Sequence, residues 1–335
     1  MPISTALPHE PEHFAFVLVP GFTMVPLSAA IEPLRLANLH SSHTLYSWST
    51  HSIDGAPVSA SNDLAVAAGG GALNTVPPKA TIVVCGGVDI ENRVNDRLLK
   101  WLRKSSRMGH TIGALCTGSH ILAVAGLLDD YICTIHWRHI PGFMEAFPDI
   151  EVTDSMFEID RNRFTCAGGT ASIDMMLALI ARQHGPELVV KIADAILHSP
   201  IRHHTDHQRM SLPARIGVRH PKLIRVIEIM QANLEDPLSP GQLAEEVALS
   251  TRQLERLFRH YLERSPKRYY LELRLEKARS LLLQTPMTII DIALACGFSS
   301  SSYFSKCYRL SYGRSPYRER AVPDDPTDTL QEIPA

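Results

Sequence analysis

The chain has 335 residues, 45% of them hydrophobic, with 33 Lys+Arg against 35 Asp+Glu for a net charge of −2. That length exceeds one ordinary core and predicts two domains or three, while the composition excludes collagen-like, disordered and coiled-coil chains. No run of about 18 apolar residues could span a membrane, no basic segment leads into an apolar stretch as in a secretory signal, and the six cysteines include no C-x-x-C pair, which is the usage of a reduced, cytoplasmic protein.

In chain order, the first dozen residues read as a disordered lead-in. Phe14–Val19 (FAFVLV), Thr81–Cys85 (TIVVC) and Thr111–Cys116 (TIGALC) are short continuous apolar runs, the mark of buried parallel strands. Helical patterns lie between them over Pro26–Leu39, Asn92–Ser105 and Gly118–Ala125. This alternation predicts an α/β doubly wound, flavodoxin-like domain over residues 13–198.

Within that domain a strand runs into Cys116-Thr117-Gly118 and then a helix. A residue at such an elbow stands above the carboxyl ends of the strands, where doubly wound sheets hold ligands. The N–H groups of the following helix favour an anion or a thiolate there. His136, in TIHW, and Glu32, on the helix after the first strand, complete a possible nucleophile–base–carboxylate set. Trp137 offers an aromatic wall for a cationic ligand. Bland readings stand beside these: Cys116 as the floor of a pocket or an inert thiol, His136 as pocket lining, Trp137 as core, and Glu32 as the surface partner of Arg35.

Residues 199–218 break the periodicity and read as a linker. Its HHTDH (His203, His204, Asp206, His207) puts histidines four apart, a possible metal face. No second ligand group is in view, so a solvated polar segment is the better reading, and no metal or cofactor is expected.

From Pro221 onward the pattern is helical, and it repeats. Ala244, Leu249 and Ser250 correspond to Ala293, Phe298 and Ser299, 49 residues on; after one extra residue, Leu254, Phe258, Ser265 and Pro266 correspond to Phe304, Tyr308, Ser315 and Pro316. Each copy has a short helix (Gly241–Val247; Ile289–Ala295), a tight turn with Gly297 in the second, a Ser cap and a second helix, Thr251–Tyr261 or about Ser300–Tyr312. Thr251, Arg252, Glu255, Arg256 and Arg259 form one polar face; Ser301, Ser302, Lys306 and Arg309 form the other. Leu254, Leu257 and Phe258, or Tyr303, Phe304 and Tyr308, are expected to hold the core. A major groove admits one helix with such a face and is read by its donors and acceptors. Charge agrees: residues 216–320 hold 17 Lys+Arg against 11 Asp+Glu, so the polyanion partner belongs to this module, over 219–320. An acidic stretch, 321–335, is expected to be a disordered tail.

Two resemblances follow from these motifs. TIIDIALACGFSSSSYFSKCYRLSYGRSPYRER, with SPGQLAEEVALSTRQLERLFRHYLERSPKRYYLELRLEKARSLL before it, resembles the paired helix-turn-helix units of AraC/XylS transcription regulators over roughly 100 residues. LCTGSHILAVAGLL, His136 and Glu32 are similar to the PfpI-type branch of the class I glutamine amidotransferase-like superfamily over roughly 13–195. The fusion implies a cytoplasmic regulator, an activator by family habit, that binds double-stranded promoter DNA, works with RNA polymerase and pairs as a homodimer. Its first domain would be an effector sensor rather than a catalyst, with Glu32, Cys116, Thr117, Gly118, His136 and Trp137 around an amino-acid-like or quaternary-ammonium metabolite. The rivals are a Cys-dependent hydrolase or glyoxalase-like enzyme with a DNA-binding tether, and a thiol redox sensor.

Overall fold

The computed structural model describes residues 10–321; most of the expected lead-in, and the expected tail from 322 on, lie outside the described residues. The chain parts into two compact units, with Gln208 closing the first and Arg209 opening the second.

In the first unit the strands run across one seven-stranded sheet in the order Phe157–Asp160, Arg163–Cys166, Ile112–Leu115, Thr81–Cys85, Glu12–Leu18, Tyr46–Ser52 and Gly71–Ala72. All neighbours are parallel except the hairpin that ends the sheet at Phe157–Asp160. The central strand shows why the fold has three layers. Its Phe14, Phe16 and Leu18 enter the core under helices Met24–Leu39, Ala171–His184 and Pro186–Ala195, whereas Val17 and Val19 enter the core under Asp96–Arg107 and Gly118–Val124. Successive side chains of a strand point to opposite faces, so a strand covered on both sides is apolar throughout. This is the doubly wound α/β fold.

Two differences from the expected elements have local causes. Tyr46–Ser52 (YSWSTHS) is a strand despite its polar residues, because Ser47 and Ser49 hydroxyls bond the two ring nitrogens of His13 on the neighbouring strand at 2.8 and 2.7 Å. The second helix begins at Asp96 rather than Asn92, since the Asn95 side chain accepts the N–H groups of Arg97 and Leu98 and caps it there.

The second unit is all helical, with helices Pro221–Ala232, Pro240–Glu245, Thr251–Leu262, Pro266–Gln284, Ile289–Ala295, Ser301–Tyr312 and Pro316–Ala321 after a short turn at Leu212–Ile216. It has two cores, one for each repeat: Leu243, Ala244, Leu254 and Phe258 belong to the first, Ile292, Ala293, Phe304 and Tyr308 to the second. The long helix Pro266–Gln284 supplies Tyr270 to one core and Leu275, Ala278 and Leu281 to the other.

Candidate nucleic-acid interface and ligand site

The elbow is built by backbone crowding. Cys116 takes a left-handed φ of +58°, which turns the chain from strand Ile112–Leu115 into helix Gly118–Val124. Glycines on all sides admit that turn. A β-carbon on Gly118 would stand 2.3 Å from the Val84 carbonyl oxygen, one on Gly86 2.3 Å from the Gly118 nitrogen, and one on Gly168 2.7 Å from Cys116 Cβ. Thr117 Oγ1 ties the elbow to the Gly87 carbonyl at 2.7 Å.

The Cys116 thiol is buried, which pushes it up to about 11; a hydrogen bond from the Thr23 side chain and the Thr117 backbone only partly oppose that shift. Thr23, missed in the sequence because it precedes the first helix as an ordinary hydroxyl, stands close enough to lower the thiol's pKa, with its Oγ1 donating to the Gly86 carbonyl at 3.2 Å. Glu32 lies on the exposed side of its helix, forked onto Arg35 Nε at 3.0 Å and onto Nη2.

His136 and Trp137 follow strand Cys133–Thr134, which is fastened to the elbow helix by Ser119 Oγ donating to the Thr134 carbonyl at 2.7 Å. Their rings lie 5.6 Å apart. Burial first, then His139 and Arg138 nearby, push His136 down to about 4, so its imidazole is neutral at pH 7. Arg138 lies over the Trp137 ring at 5.1 Å. Beside this loop stands a carboxylate that sequence reasoning missed: Glu91 Oε1 is 3.4 Å from His139 Nδ1, and interacts with His120 on the elbow helix. His139 and His120 hold Glu91 below the usual carboxylate range against the opposing effect of burial. Only the fold brings residues 91, 120 and 139 together; no spacing marks them.

In the second unit the caps set the two motifs. Ser239 and Ser250 each form a reciprocal capping box, with Gln242 and Gln253. Thr288 and Ser300 cap the corresponding helices of the second copy. The cap at Ser300 puts the extra residue of the second copy before the cap, so Ser250 matches Ser300 rather than Ser299. Gly297 takes φ +71°, and a β-carbon there would strike the Glu235 carbonyl oxygen at 2.6 Å; its counterpart Ala248 accepts φ +50°. The turn is held from behind by Arg274, whose Nε and Nη2 donate to the carbonyls of Cys296 and Gly297 at 2.7 Å each.

Thr251, Arg252, Glu255, Arg256 and Arg259 are exposed, as are Ser302, Lys306 and Arg309, with Ser301 half-buried. Among the described residues, Arg264 and Arg268 are spent on Glu272, and Arg279 and Arg314 on Glu319, but Arg252, Arg256, Arg259, Lys306 and Arg309 make no intramolecular ion pair. Tyr303 does not hold the core as expected: it is 48% exposed, and Cys307 packs in the core instead. Residues 243–321 match the helix-turn-helix domain family and residues 15–182 the DJ-1/PfpI family.

The chain belongs to the AraC-type helix-turn-helix regulators that carry a DJ-1/PfpI domain. It is 47% identical to the HTH-type transcriptional regulator GbdR of Pseudomonas aeruginosa, over 92% of this chain and 84% of that one. It is 46% identical to the HTH-type transcriptional regulator CdhR of the same organism, over 93% and 92%. An AraC family transcriptional regulator from Pseudomonas putida superposes with a TM-score of 0.51 at 27% identity, covering 56% of this chain and all of that one. This regulator therefore acts by binding DNA, not as an enzyme. Among the described residues no helix is long and apolar enough to cross a membrane, and no His, Cys, Asp or Glu cluster could hold a metal ion.

The regulator's elbow thiol yields a direct check. At pH 7.4 a thiol of pKa about 11 is roughly 300-fold less ionised than a free cysteine. Iodoacetamide labelling of Cys116 in the native chain, followed by mass spectrometry, is expected to be slower than free cysteine by at least about a hundredfold, burial adding to the low ionisation, and to rise with pH until the pH nears 11. Labelling at the free-cysteine rate would revive the nucleophile and redox readings.

Proposed function

We propose that this regulator is controlled by a small metabolite held at the elbow of its DJ-1/PfpI domain, between Cys116, Thr117 and Gly118 on one side and His136 and Trp137 on the other. The observation that carries the reading is the state of Cys116: buried and protonated at a crowded elbow, it suits the floor of a binding site and not a nucleophile. The Trp137 ring, over which the Arg138 guanidinium already lies at 5.1 Å, and the half-buried Glu91 form surroundings that suit a cation, which favours a ligand with a cationic end, an amino-acid-like or quaternary-ammonium compound. Glu32, already neutralised by Arg35, contributes least.

The DNA contacts are assigned to the exposed faces of the two capped helices, through Thr251, Arg252, Glu255, Arg256 and Arg259 in the first and Ser301, Ser302, Lys306 and Arg309 in the second. Cations with no intramolecular partner are the ones available to displace phosphate counterions. Residues 13–198 serve as the sensor and 219–320 as the DNA-binding module. The regulator works in the cytoplasm as an activator in contact with RNA polymerase, and as a homodimer, whose two chains would read two half-sites since the two units of one chain read one.

A thermal-shift titration of the full chain with arginine, glycine betaine and carnitine tests the ligand class. A bound ligand raises the midpoint by mass action, and at a hundred times its Kd adds about 2.7 kcal/mol. At least one compound is expected to raise the midpoint in wild type, and Trp137→Ala to abolish that rise. Equal shifts in both proteins place the site elsewhere; no shift with any of the three rejects the class.

A further inference from the structure

The stretch that leaves the first unit is sewn down at both ends, and each end is bonded to a segment that leads to one side of the proposed elbow site. At its start stands Asp174, whose carboxylate is fully buried. His198 Nε2 donates to it at 2.7 Å, the Arg202 backbone N–H at 2.8 Å, and Arg202 Nε and Nη2 at 2.9 and 2.6 Å. Arg202 Nη2 also reaches Thr170 Oγ1 at 2.8 Å. Thr170 follows the Gly168–Gly169 turn, and Gly168 is the residue pressed against Cys116.

In the middle, the Met156 N–H donates to the carbonyls of His204 and Asp206 at 3.1 and 3.2 Å, and the Met156 carbonyl accepts the N–H of Ala167, next to Gly168. At its end, Gln208 Nε2 donates to Thr134 Oγ1 and the Ile135 carbonyl at 2.9 Å and to the Ser155 carbonyl at 3.0 Å. Ile135 precedes His136 and Trp137. Among the described residues the Gln208 Oε1 atom is buried with no hydrogen-bond partner, and Arg209, the next residue, begins the second unit.

We propose that residues 198–208 are a strap that carries the state of the elbow site to the DNA-binding unit, anchored by Asp174 and read out through Gln208. The two fastenings differ in kind. Asp174 is saturated by four donors on the strap, so it fixes one end. Gln208 holds the loop that bears His136 and Trp137 but leaves its own acceptor unsatisfied, so its present arrangement is the one open to exchange when that loop shifts. The elbow side and the loop side of the site are thus both bonded to the same eleven residues, the last of which adjoins the second unit. The proposal rests on the elbow being the effector site, and it makes Asp174 and Gln208 positioning residues that need touch neither ligand nor DNA.

Coupling between sites is reciprocal, so DNA must act back on the pocket loop even without effector. Hydrogen exchange is measured on the full chain, alone and with a duplex that the wild-type chain selects from a random-sequence library. Duplex binding is expected to change exchange of residues 134–139 by at least about threefold in wild type. Asp174→Asn is expected to raise exchange of 198–208 about tenfold and to abolish the DNA-linked change at 134–139 while the duplex stays bound. Gln208→Ala abolishes the same change without loosening residues 198–202, and it decides the matter alone if Asp174→Asn does not fold. The strap is overturned if the loop ignores DNA in wild type, or if Gln208→Ala keeps the full response. A strap response without a thermal shift from any of the three metabolites rejects the ligand class and leaves the strap standing.

Discussion

The double substitution Arg256→Ala with Lys306→Ala is expected to weaken binding of the full chain to its selected duplex by at least about 30-fold. Each side chain is exposed, lacks an ion pair in the described residues and sits on a different helix of the pair. A lost base or phosphate contact costs about 1–3 kcal/mol, and sites on separate helices with separate cores add. The slope of log affinity against log salt should fall by about 0.9 for each of the two that contacts phosphate. Neither change removes a packed atom, so the thermal midpoint should hold. Unaltered affinity in a duplex titration would mean that these faces do not meet DNA.

Gly118→Ala is expected to produce a large loss of stability. The added methyl would lie 2.3 Å from the Val84 carbonyl oxygen and 3.3 Å from Ala114 Cβ, and the obstacle is the backbone of a central strand, which cannot swing aside. Overpacking of this kind costs about 1–3 kcal/mol and more when backbone must move. For a unit of this size that is roughly 2–4 °C of midpoint per kcal/mol, so a fall of about 2–12 °C is expected by calorimetry. Gly169→Ala is the control: its β-carbon meets nothing within 4 Å, although its φ of +56° adds some strain. If the two variants melt together, crowding is not what shapes the elbow.

Much of this was legible from residue patterns because the relevant interactions are local. Apolar runs marked the three central strands, since strands covered on both faces need no polar alternation. Ser caps, Gly297 and the spacing of Leu254, Phe258, Phe304 and Tyr308 marked the two helix-turn-helix units. The polar strand Tyr46–Ser52 escaped notice because its hydroxyls are satisfied by His13, a residue 34 positions away from Ser47. The same holds at the proposed ligand site. Cys116 and Gly118 announce themselves as an elbow, but Thr23, Glu91, His120 and His139 join it only through long-range packing, and Glu32 is drawn away by a neighbour three residues along its own helix. Asp174 shows the limit most clearly. It reads as an ordinary acid in the first turn of a helix, and its donors come from residues 198 and 202.

The most direct measurement is an equilibrium titration of the selected duplex by the full chain, at two salt concentrations, with and without arginine, glycine betaine or carnitine. A regulator whose free cations meet phosphate and whose elbow holds a cationic metabolite must show affinity that falls steeply with salt. It must also show a Kd shifted by at least one of the three compounds in wild type but not in Trp137→Ala. Salt-independent binding, or a Kd that none of the compounds moves, would contradict it.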